Sequence, residues 1–213
     1  MDKVTEFHYT SLPEDSIYVK PFRMYYVQNG MKKSWDLLKV HDSVAIIILN
    51  KTRNTLVFVR QFRPAVYHSI ISTDPEHLTA SSEILLEKYP VSLAFTNELC
   101  AGIVDKSKSL IEIAKEEILE ECGYNVPIER IELVMTYRSG VGTSGSLQTL
   151  YYCEVTDSDK ANSGGGVDDE IIDVIELTLD ECRDMLKQGA NNNAPPSCLF
   201  GISWFFANKA NSK

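Results

Sequence analysis

A chain of 213 residues, 44% hydrophobic and 24% charged, has the composition of one large globular domain or a domain with an appendage, and is long enough to bury a sizeable core. Its 30 acidic and 21 basic residues give a net charge of −9, which argues against nucleic acid or an anionic membrane as the main partner. The five cysteines, Cys100, Cys122, Cys153, Cys182 and Cys198, lack CxxC spacing and no secretory leader precedes them, so they read as reduced thiols of a cytoplasmic protein; no apolar run approaches the roughly 18 residues of a membrane span.

In chain order, residues 17 to 40 read as a strand pair turning at Asn29-Gly30, where both residues tolerate positive φ. Within it, Trp35 reads either as packing or as a plate on which a nucleobase stacks. Val44 to Leu49 reads as a buried strand, and Thr55 to Phe62 as its hairpin partner, ended by Pro64. Arg63 leaves that strand end, where a guanidinium is commonly at the surface and is also well placed to fork onto phosphate. Residues 68 to 93 form an excursion in which 82 to 88 suggest a short helix. Thr96 to Ala101 reads as one strand.

The most informative stretch is Leu110 to Tyr124. Ile111, Ala114, Ile118 and Cys122 form an apolar stripe at helical spacing, so the helix faces a core. Ser109 is its N-cap and Gly123 its stop. Glu117, Glu120 and Glu121 share a face spanning roughly 100°. Like charges three and four apart repel by a few tenths of a kcal/mol each, and a hard divalent cation relieves that repulsion. An acidic run is most often a solvated face, but Glu117 and Glu121 border the stripe, so both are expected to be only partly exposed.

Strands follow at 128 to 137 and 147 to 155. Between them, Arg138 to Ser146 holds three glycines among Ser and Thr, a loop whose N–H groups can close on a ligand or simply turn a hairpin. Asp157 to Gly166 reads as mobile, and Asp168, Asp169 and Glu170 stand at the mouth of a strand over 171 to 177, where a base could swing in. Thr178 caps a helix over 179 to 187, and a last helix over 198 to 208 turns Phe200, Trp204 and Phe205 inward. Without βαβ repetition, the order predicts an α+β fold with a mixed sheet between helices.

The acidic stretch resembles the signature of the Nudix hydrolases: a Gly, five residues, Glu, seven residues, then Arg-Glu-U-x-Glu-Glu-x-Gly-U, where U is a bulky aliphatic or aromatic residue. Gly102, Glu117, Ile118, Glu120, Glu121, Gly123 and Tyr124 fall at matching spacing. Two positions depart: Lys108 stands where the first Glu is usual, and Glu116 where the Arg that supports a metal-binding Glu is usual. Lys115 lies one place early and on another face. Segments from Gln28-Asn-Gly30 to Phe200-Gly-Ile-Ser-Trp-Phe205 are similar to the branch that cleaves UDP-sugars, with ADP-ribose pyrophosphatases as the sister branch. Gly145, where the sister branch carries Glu, favours the former.

The resemblance implies an α/β/α sandwich over 43–213, with residues 1–42 as a small antiparallel sheet used in dimerisation. It implies hydrolysis of UDP-glucose to UMP and glucose 1-phosphate with Mg²⁺, Mn²⁺ being a second option, in a homodimer. The implied metal ligands are Glu117, Glu120, Glu121 and the Ala101 carbonyl. Glu170 or Asp168 is the implied base, with Glu120 the fallback within the helix, and Trp35, Arg63, Ser139 and Gly140 would contact substrate. The alternatives are an ADP-ribose or ADP-sugar pyrophosphatase and a non-hydrolysing nucleotide sensor, which Glu116 in place of Arg would suit.

Overall fold

The computed structural model describes residues 3–189 and 193–210. Strand β3 (Ser43–Asn50) is its axis: β4 (Thr55–Phe62) and β6 (Cys100–Ile103) pair with it antiparallel, and β8 (Leu147–Val155) parallel. β4 carries β5 (Phe95–Glu98) and β9 (Asp173–Thr178), and β7 (Ile131–Arg138) closes the β8 edge, giving a mixed seven-stranded sheet.

Both faces of this sheet are covered, which explains why Val44 to Ile48 form an unbroken buried run. Side chains alternate along a strand, so Val44, Ile46 and Ile48 pack with Ile113, Ala114 and Ile118 of helix α3 (Leu110–Glu120). Ala45 and Ile47 face the other way, toward Cys182 and Met185 of α4 (Leu179–Met185) and Cys198, Ile202 and Phe205 of α5 (Pro196–Asn208). Burying each Ile or Val is worth about 1.5–3 kcal/mol. The result is the expected α+β sandwich. All five cysteines are buried free thiols, and among the described residues no helix is long and apolar enough to cross a membrane.

The hairpin β1 (Lys20–Gln28) and β2 (Met31–Lys39) turns at Asn29 and Gly30, with φ of 52° and 77°. It touches the main body through Leu38 N–H to Thr143 O (3.0 Å) and Trp35 Nε1–H to Gly142 O (2.7 Å).

Three elements differ from expectation. Pro64 ends β4 but also opens a helix, α1 (Pro64–Ile71), because proline is well suited to the first helical turn. α2 (Ser82–Lys88) forms as expected from its Ser81 cap. The single strand expected over 96–101 is two strands, because the chain changes partner from β4 to β3 across Leu99. The last strand begins at Asp173 rather than 171.

Candidate active site

Helix α3 starts where Ser109 donates its N–H and hydroxyl to Glu112, a reciprocal cap of the kind that fixes a helix start. Its C-terminal half aims Glu117, Glu120 and Glu121 into a cleft of about 1260 Å³, roomy enough for a nucleotide sugar. The floor is β6. Glu121 is 4% exposed and its Oε2 accepts the Ala101 N–H at 2.9 Å. Glu117 lies so close over Gly102 that a Cβ there would collide with its carboxylate.

Burial, with Glu120 repelling it as the next cause, pushes the Glu117 carboxyl up to about 7. Burial also pushes Glu121 up to about 8, with Glu117 and Glu170 adding repulsion and the Ala101 N–H opposing it. These are buried and half-buried oxygens short of positive charge, the environment in which a hard divalent cation gains most. Among the described residues, no three acidic, His or Cys side chains converge tightly enough to form a finished cation site. The donors fit such an ion in chemistry and need side-chain movement to close on it.

The late acids reach the same cleft, which Asp168, Asp169 and Glu170 line together with the carboxylates of α3. Glu170 is the one whose charge is felt by Glu117, Glu121 and Arg63. Its Oε2 accepts the Val167 N–H at 3.1 Å, and Gly166 passes so near that a Cβ would lie 2.6 Å from Glu170 Cβ. Asp168 sits at φ 52°.

The triglycine run before them is not the swinging hinge expected from composition. Gly165 N–H donates to Glu121 O (2.9 Å) and Gly166 N–H to Glu120 O (3.1 Å), while Lys160 Nζ reaches Cys122 O (2.8 Å). The loop thus satisfies the carbonyls that a helix end leaves open. Glycine is required because the backbones touch and φ at 164, 165 and 166 is 70°, 113° and 87°.

Arg63 lines the cleft, but its fork is engaged: Nε and Nη2 donate to Glu98 at 2.6 and 2.7 Å, and Thr96 Oγ1 donates to the same carboxylate. Trp35, Ser139 and Gly140 are not among the residues lining the cleft. Trp35 is tied to Gly142, Ser139 Oγ meets Ser146 Oγ at 2.8 Å, and Gly140 O accepts from Gly145 N–H and Ser144 Oγ, so this loop closes on itself.

The two departures from the signature find each other. Lys108 Nζ is ion-paired with Glu116 Oε1, and Lys106 Nζ stands 3.6 Å from Glu116 Oε2. The positions where the signature carries Glu and Arg thus hold a Lys and a Glu here, and their charges meet. Sequence reasoning missed Glu98 and Lys106. A signal was present for Lys106: the acidic face of α3 lacks a cation of its own, and the loop before it carries two lysines.

No family model matches the chain. It is 43% identical over 203 residues, 90% of each chain, to the uridine diphosphate glucose pyrophosphatase NUDT14 of Bos taurus, and equally to that of Mus musculus. It is 29% identical over 153 residues to the GDP-mannose pyrophosphatase of Cronobacter sakazakii, covering 72% of this chain and 68% of that one.

Proposed function

The chain belongs to the Nudix hydrolase family, beside the uridine diphosphate glucose pyrophosphatases, and from that premise we propose that it hydrolyses the pyrophosphate bond of UDP-sugars, UDP-glucose giving UMP and glucose 1-phosphate, with Mg²⁺ or Mn²⁺. The observation that carries this reading is the pair of buried Glu121 and half-buried Glu117 lining one cleft with Glu170, whose charge both of them feel.

Glu117 and Glu121 would hold the cation, with Glu120 and the Ala101 carbonyl completing the oxygen set. Such an ion screens the diphosphate charge and makes bound water more acidic. Glu170 would accept the proton from the attacking water, a task that needs an approach of about 3 Å, directly or through one water. Asp168 is the second candidate, and Glu120 remains the fallback. Arg63 would offer its remaining nitrogen, Nη1, to a phosphate oxygen while Glu98 keeps the guanidinium in place.

We also propose a homodimer. The β1–β2 hairpin has two strands with Phe22, Met24 and Trp35 exposed on one face and Tyr25 and Val27 on the other. A bare two-stranded sheet is marginal in water, and a second copy would cover these side chains and could bring Trp35, Ser139 or Gly140 toward a cleft. A cytoplasmic setting suits five free thiols. The test is phosphate release from UDP-glucose in a coupled phosphatase assay with Mg²⁺; no release from any nucleoside diphosphate sugar would refute the proposed activity.

A further inference from the structure

We propose that Lys106 binds the diphosphate of the substrate, a role that rests on the proposed hydrolysis of nucleoside diphosphate sugars. Among the described residues lining the cleft are eight carboxylates and two cations, Arg63 and Lys106. A ligand with a negatively charged diphosphate entering such a cleft meets repulsion unless cations face it. Arg63 already spends two of its three nitrogens on Glu98. Lys106 is differently placed: its nearest acidic oxygen, Glu116 Oε2, lies at 3.6 Å, too far for a strong hydrogen bond.

Glu116 is what holds Lys106 beside the cleft. Its other oxygen is ion-paired with Lys108, and Oε2 is buried without a hydrogen-bond partner. That oxygen anchors the ammonium loosely, at 3.6 Å. An ammonium on a flexible stem can turn from a weak tether to a phosphate oxygen, whereas a forked guanidinium cannot do so without breaking two bonds. The arrangement uses the reversed pair Lys108–Glu116 to present a cation from the loop, since the helix carries none on that face.

The test compares Lys106→Met, which keeps the apolar stem and removes the charge, with Lys106→Arg, which restores it. Steady-state kinetics on UDP-glucose with Mg²⁺ and calorimetric binding of UDP give independent readings. Loss of a charge-assisted contact should raise KM and weaken UDP binding at least about tenfold in Lys106→Met, while kcat stays within about threefold and Lys106→Arg recovers most of both. Wild-type KM and UDP affinity in Lys106→Met would overturn the proposal, as would a fall in kcat alone. If the wild type cleaves no nucleoside diphosphate sugar yet its UDP binding still depends on Lys106, the hydrolysis reading falls and the phosphate site stands.

Discussion

Gly102 and Glu117 occupy one place between them: the carboxylate of Glu117 lies where a side chain on residue 102 would begin. The strand floor and the acidic helix are therefore fitted to each other at the cleft. Gly102→Ala forces Glu117 off the floor. We expect kcat/KM to fall at least about 100-fold, since misplacing a group that stabilises charge costs a few kcal/mol, with a destabilisation of about 1–3 kcal/mol. Kinetics alongside urea unfolding checks both; unchanged kinetics would show that the position of Glu117 is unimportant.

The reversed pair Lys108–Glu116 predicts a double-mutant cycle. Both side chains are partly exposed, so each single reversal, Lys108→Glu or Glu116→Lys, should cost on the order of 0.5–1 kcal/mol. The double reversal should restore most of it. Additive losses in thermal unfolding would show that the two charges do not interact.

Asp159 gives a prediction for acid. Its carboxylate takes a bidentate contact from Arg130 (2.6 and 2.9 Å) and the N–H and hydroxyl of Thr156, and the Arg130 guanidinium holds its pKa well below the usual carboxylate range. A depressed folded pKa stabilises the fold above the unfolded value, near 4, and that contribution fades as pH falls below it. Asp159→Asn should therefore lower Tm at pH 7 by more than at pH 3. An equal loss at both pH values would contradict this.

The acidic helix is legible because its apolar stripe and carboxylate face share one period, and β3 because both of its faces are buried. Other features depend on distant partners. Pro64 reads locally as a strand breaker and only in the fold as a helix start. The break at Leu99 marks a change of neighbouring strand, which leaves no local signature. Gly164 to Gly166 suggest freedom by composition, whereas their positive φ angles serve a tight seat against the end of α3. The Arg63–Glu98 fork spans 35 residues and the Trp35–Gly142 bond 107, so neither is readable from spacing.

The exposed hairpin predicts a dimer at micromolar concentration by light scattering. Trp35→Ala should weaken it, because aromatic anchors dominate such contacts. A wild-type monomer at that concentration would contradict the assignment of β1 and β2 to an interface.

The most direct measurement is UDP-glucose turnover by wild type and Glu121→Gln, each with Mg²⁺ and with excess chelator. Wild type should turn over only with the cation, and Glu121→Gln should fall at least about 100-fold with the fold retained, since a lost ligand removes a few kcal/mol of charge stabilisation. Full wild-type turnover in chelator, or an unchanged rate in Glu121→Gln, would contradict this.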